Sequence, residues 1–110
     1  FDGVLAKYSA DLNGFTDICI TKADVLSEFD EIPVAENYET NDPFLNVQKL
    51  DKVNPAYTYY PGWKTDLTGI TDPNDFPETF QRYLMVIERI SGAPVSMVSV
   101  GPDRNQIVKR

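Results

Sequence analysis

The chain has 110 residues, 42% of them hydrophobic and 25% charged, with a net charge of -7 at neutral pH. That length supports at most one domain, able to withdraw roughly two-thirds of its unfolded surface from water; no apolar run approaches the ~20 residues of a membrane helix, and the acidic balance disfavours a nucleic-acid partner, which would need a basic face for counterion release. The sequence contains no histidine, which removes Ser-His-Asp and Cys-His catalysis and His-containing zinc sites from this chain and leaves acid-base chemistry to carboxylates, Lys or Tyr.

Phe1 to Leu12 reads as a helix, with Val4, Leu5, Tyr8 and Leu12 at helical spacing and Asn13-Gly14 as its stop. Phe1-Asp2 carries no start signal, so the helix reads as cut at its front and the chain as beginning inside a larger protein. A strand follows over Phe15 to Ile20. Its consecutive apolar residues Ile18, Cys19 and Ile20 suit a strand buried on both faces, as in sheets covered by helices. Cys19, the single cysteine, then reads as a small buried hydrophobe in a reducing compartment, and with no secretory signal in view the chain reads as cytoplasmic. The strand runs into Thr21-Lys22-Ala23-Asp24, and in open α/β sheets ligands gather at the carboxyl ends of strands. Asp24 could equally cap a short helical segment through Phe29.

Glu31 to Glu39 reads as a strand in which Pro33 suits an edge or a bulge. Thr40-Asn41-Asp42-Pro43 is a turn cluster, and Phe44 to Asn54 reads as a hairpin return followed by a loop. Ala56 to Tyr60 is an aromatic-rich strand, ended by a tight turn at Pro61-Gly62-Trp63, and Lys64 to Asn74 is loop. Asp75-x-x-Glu78 with Pro77 reads as a helix start, after which Phe80, Tyr83, Leu84, Ile87 and Ile90 form an apolar stripe. Ser91-Gly92 stops that helix, and Val95 to Val100 is a strand ending in Ser99-Val100-Gly101-Pro102. The helix-then-strand order near the beginning of the chain thus recurs near its end.

Two strand ends carry candidate chemistry. Thr-Lys-x-Asp resembles the guanine-specificity element of GTP-binding proteins, in which Lys lies over the base and Asp accepts hydrogen bonds from the base edge. A carboxylate matches the ring N1-H and exocyclic 2-amino group of guanine, whereas adenine would present it with a lone pair. The Lys stem can cover the ring while its ammonium stays hydrated. At the second end, Ser99-Val100-Gly101 could turn backbone N-H groups toward a base carbonyl, with Gly101 permitting close approach; the plainer reading is a turn before Pro102. Trp63 and the tyrosines 57, 59 and 60 could line a pocket, although packing against the core explains them as well. The acidic residues from Glu28 to Glu31 read as solvated surface rather than as a metal site, and the glycines form no phosphate cradle.

Taken together, Phe1-Asp2, Asn13-Gly14, Thr21-Lys22-Ala23-Asp24-Val25-Leu26, Pro61-Gly62-Trp63, Pro77-Glu78 with Tyr83, Ile87-Glu88, Gly92-Ala93-Pro94-Val95 and Ser99 to Arg104 resemble, in order and spacing, the C-terminal quarter of the adenylosuccinate synthetases. Ala23 stands where that family commonly has Leu, a position that should not alter base recognition. The resemblance implies an α/β fold: residues 1–110 as the C-terminal part of a domain with a P-loop-NTPase-like, mainly parallel sheet and flanking helices, carrying guanine-binding strand ends. It implies a GTP-dependent ligase joining L-aspartate to IMP through 6-phosphoryl-IMP, with Mg2+ bound by residues upstream of Phe1. Guanine would be bound by Lys22, Ala23, Asp24, Ser99, Val100 and Gly101. The family's catalytic Asp and His and its phosphate loop would also lie upstream, leaving the isolated chain inactive, and the complete enzyme would be a homodimer. The rival expectation is a non-catalytic guanine-nucleotide-binding or protein-interaction module that shares the motif.

Overall fold

A computed structural model describes residues 1–40 and 47–110. The first element, α1 (Gly3–Asn13), begins at a side-chain cap: the Asp2 carboxylate accepts the Leu5 N-H at 3.0 Å. A start signal is therefore present, and the helix is not cut at its front. Asp2 also accepts from the Tyr38 hydroxyl, and burial together with that carboxylate pushes the Tyr38 phenol up to about 12. Gly14 closes the helix in the left-handed conformation, φ 62°, where a side chain is disfavoured. The stripe Leu5, Tyr8 and Leu12 faces outward; the buried residues are the small Gly3 and Ala10. Small residues allow the backbone of α1 to approach its neighbours closely, and a Cβ on Gly3 would stand 2.8 Å from the Ala35 carbonyl oxygen.

Strand β1 (Ile18–Ile20) is shorter than the sequence suggests, and Cys19 is exposed rather than buried. Among the described strands β1 lies at the edge; Ile18 and Ile20 pack toward the core, and within these residues nothing covers the opposite face. A 3-10 segment (Ala23–Glu28) leads to β2 (Glu31–Glu39), which pairs antiparallel with β3 (Asn54–Pro61) in a separate two-stranded sheet. Pro33 sits in this two-stranded sheet, where every strand is an edge, and the bulge falls at Ala35/Asn37. Between them, Val47–Leu50 forms a short helix, α2, where the sequence suggests a hairpin return and loop. Residues 41–43 of the turn expected at 40–43, and the segment 44–46, lie outside the described residues.

Helix α3 (Glu78–Ser91) buries Phe80, Tyr83, Leu84 and Ile87 along one face, as its periodicity predicts. The helix does not start at Asp75: Asp75 closes a 3-10 turn (Pro73–Asp75), and Pro77 takes the N-cap with no side-chain bond. Trp63 and Phe76 meet Phe80 edge-on, with ring centroids 4.6 and 4.9 Å away, a geometry favoured by the ring quadrupoles. Complete burial of a side chain such as Phe80 contributes about 2–3 kcal/mol.

The remaining sheet has the order β1-β4-β5, with β4 at Val95–Ser99 and β5 at Ile107–Lys109. β1 and β4 run parallel, whereas β4 and β5 are antiparallel. The fold is α/β with a mixed sheet and helices; among the described strands, β1 and β4 form the parallel pair. Glu88, on α3, fixes the start of β4 by accepting the Val95 N-H at 2.8 Å, and it pairs with Arg110 at 2.8 Å. No described helix is long and apolar enough to cross a membrane.

Candidate functional site

The parallel pairing aligns Ile20 with Val98, so the carboxyl ends of β1 and β4 leave the sheet side by side. Thr21 to Asp24 follow one strand and Ser99 to Gly101 the other. The two candidate motifs, 75 or more positions apart in sequence, thereby share one edge of the sheet.

At the first strand end Lys22 adopts a left-handed backbone, φ 57° and ψ 34°, uncommon for a residue with a side chain. It reverses the chain into the 3-10 segment. Ala23 is buried beneath this turn, Asp24 is half-buried and Lys22 is exposed. Lys22 occupies the N-cap position, and no side chain caps the segment. Asp24 is therefore not the cap that its sequence position also permits. Among the described residues, nothing donates to its carboxylate. Ser27, on the same segment, accepts from the Trp63 indole N-H at 3.0 Å, tying the segment to the core.

At the second strand end the Ser99 hydroxyl donates to the Gly101 carbonyl at 3.0 Å, and the Val100 N-H donates to the Gln106 carbonyl at 2.9 Å. The Val100 N-H is thus engaged and unavailable to a base. Gly101 is buried, and among the described residues nothing accepts from its N-H. The Gln106 side chain lies against Gly101, where a Cβ would come within 2.2 Å of Oε1. Nearby, Asp66 accepts from both the backbone N-H and the hydroxyl of Thr68, at 2.9 and 2.8 Å. These bonds favour its charged form and hold its carboxyl below the ordinary range.

The aromatic candidates do not join this edge. Trp63 is a core residue, and Tyr57 and Tyr59 are exposed on β3, in the other sheet. Tyr60 donates to Glu36 and lies 3.2 Å from an Arg89 guanidinium nitrogen; partial burial and the Glu36 carboxylate raise its pKa. Gln106 and β5 escape the sequence reading, although a turn-forming Gly101-Pro102-Asp103 followed by Ile107-Val108 is a hairpin signal.

A family model described as adenylosuccinate synthetase matches residues 1–108. The chain belongs to the adenylosuccinate synthetase family. It is 38% identical to the adenylosuccinate synthetase of Geotalea uraniireducens, over 98% of this chain and 26% of that protein. With the enzyme of that name from Mycobacterium tuberculosis the identity is 39%, over 100% of this chain and 27% of that protein. The structure of the fully ligated adenylosuccinate synthetase from Plasmodium falciparum superposes with a TM-score of 0.91 at 25% identity, covering 100% of this chain and 28% of that one. The chain thus spans about a quarter of the length of the synthetases it matches.

Among the described residues, no group of three or more His, Cys, Asp and Glu stands close enough to hold a metal. Glu28, Asp30 and Glu31 are exposed, and Asp30 pairs with Lys64 at 2.8 Å.

Proposed function

We propose that this chain is the base-reading part of a GTP-dependent adenylosuccinate synthetase, which ligates L-aspartate to IMP. The observation that carries this reading is the shared sheet edge: Asp24, whose carboxylate has no partner among the described residues, on one strand end, and on the other Gly101, whose N-H has none among them either. The carboxylate would accept from guanine N1-H and the 2-amino group, and the Gly101 N-H would donate to O6. Lys22, exposed beside them, would lay its methylenes over the ring. Ala23 and Val100, both buried, would set the backbone on either side. Three hydrogen bonds in one plane would distinguish guanine from adenine at every position contacted.

In the complete enzyme the reaction would transfer the γ-phosphoryl of GTP to the 6-oxygen of IMP. The aspartate amine would then displace phosphate from C6, giving adenylosuccinate, GDP and phosphate. The acid-base groups, the phosphate ligands and the Mg2+ site belong, on this reading, to residues outside this chain. The complete enzyme would act in the cytoplasm, as a homodimer.

The test is donor choice by the complete enzyme. Inosine triphosphate lacks only the 2-amino group and should raise the KM of the nucleotide by about tenfold or more through loss of a charged hydrogen bond, while the 110-residue chain alone should turn over neither nucleotide. Equal use of GTP and ATP would overturn the assignment. Ligation by the isolated chain would overturn the division of labour. A guanine-binding module without chemistry would instead bind GTP and show no ligation at any length.

A further inference from the structure

We propose that Gln106 is a positioning residue for the guanine-facing loop, holding Ser99 to Gly101 in the shape that leaves the Gly101 N-H free to meet the base. This rests on the base-reading assignment above, and goes beyond it by naming what sets the loop.

Gln106 is fastened at both ends of its own structure. Its carbonyl accepts the Val100 N-H at 2.9 Å, and its N-H donates to the Asp103 carbonyl at 3.0 Å. Any residue but proline could make these two bonds. The side chain adds what only an amide supplies: Oε1 accepts the Asp103 N-H at 3.0 Å, and Nε2 points at the Thr68 carbonyl at 3.4 Å. One side chain thereby closes the turn over residues 101–105 and ties it to the Asp66-Thr68 loop. The turn has little other support, because Pro102, Asp103, Arg104 and Asn105 are all exposed and Pro102 has no N-H to give.

The same side chain is packed against Gly101 closely enough that a Cβ there would collide with it at 2.2 Å. A side chain at 101 would therefore have to displace the Gln106 amide. The amide plane occupies the space that a side chain on 101 would fill, and it fixes the direction of the peptide whose N-H is left unused. Without the side-chain bonds the Asp103 N-H would turn to water, and the peptide at 101 would be free to rotate away from the base. The loss would fall on guanine alone, since Gln106 touches no group assigned to the chemistry.

The experiment is steady-state kinetics of the complete enzyme carrying Gln106→Met, which keeps the volume and removes the hydrogen bonds, and Gln106→Ala, which also opens the space over Gly101. Asp24→Asn serves as the reference. Both Gln106 variants should raise the KM for GTP about three- to tenfold, the worth of one or two neutral hydrogen bonds. Their kcat and their KM values for IMP and aspartate should stay within about twofold of the parent. An unchanged GTP KM in the Met variant, with Asp24→Asn showing its loss, would overturn the role of Gln106 and leave the base site intact. A silent Asp24→Asn would overturn the base site and this inference with it. A Met variant that fails to fold, or that lowers kcat and raises all three KM values together, would make Gln106 a stability residue and overturn the proposal.

Discussion

Asp24→Asn in the complete enzyme is expected to lose GTP as phosphoryl donor and gain xanthosine triphosphate. The substitution replaces one acceptor oxygen with an NH2 donor, which then faces the guanine 2-amino group, donor against donor. Each buried charged hydrogen bond lost or opposed costs about 1.5–3 kcal/mol, roughly ten- to a hundredfold in apparent affinity. Xanthine has a carbonyl at that position, so the Asn amide can donate to it while its oxygen still accepts from N1-H. The KM values for IMP and aspartate should hardly move. Were Asp24 only a helix cap, Asn would serve almost as well and the change would be silent. The structure argues against that outcome, because Lys22 holds the cap position and no side chain caps the segment. Kinetics with both nucleotides decides: unchanged GTP use without activity on xanthosine triphosphate would refute the assignment.

The second large effect is expected at Gly62, a residue given no contact with the base. A methyl group there would stand 2.0 Å from the Phe29 carbonyl oxygen and 3.0 Å from that of Asp30. Both are backbone atoms, so no side-chain rotation relieves the overlap. The Gly62 N-H also donates to Asp30 at 2.8 Å, fastening the end of β3 to the start of β2. Gly62→Ala must push these segments apart, at a cost of about 3 kcal/mol. Gly69→Ala, with nothing within 4 Å of its Cβ position, should stay within about 0.5 kcal/mol of the parent. Denaturant midpoints at constant slope measure both. A Gly62→Ala protein as stable as Gly69→Ala would show that the close approach is not tight. Phe29 ends the segment that carries Asp24, so the Gly62 variant should weaken GTP binding as well.

What could be read from the residues alone follows from the range of the interactions involved. The stripe on α3 and the stop at Gly92 are local patterns, and both appear where the spacing puts them. The bounds of β2, Glu31–Glu39, likewise follow from alternation and flanking turns. The run Ile18-Cys19-Ile20 reports covering on both faces, whereas among the described residues only the face of Ile18 and Ile20 is packed and Cys19 is exposed. Asp2 as a cap was obscured by its place beside the first residue, and β5 by its three-residue length. The candidate site stands between these extremes. Each half is visible as a short motif at a strand end, but their meeting depends on β1 pairing with β4 across most of the chain. No local pattern encodes that pairing. Gln106 was invisible for the same reason, since its meaning lies in contact with Gly101 and Thr68.

The most direct measurement is the position of the base in a structure of the complete enzyme with bound GDP. Guanine N1 and the 2-amino nitrogen should each lie about 2.7–3.2 Å from an Asp24 carboxylate oxygen, with the Gly101 N-H directed at O6. A base seated elsewhere, with Asp24 left facing solvent, would contradict the account.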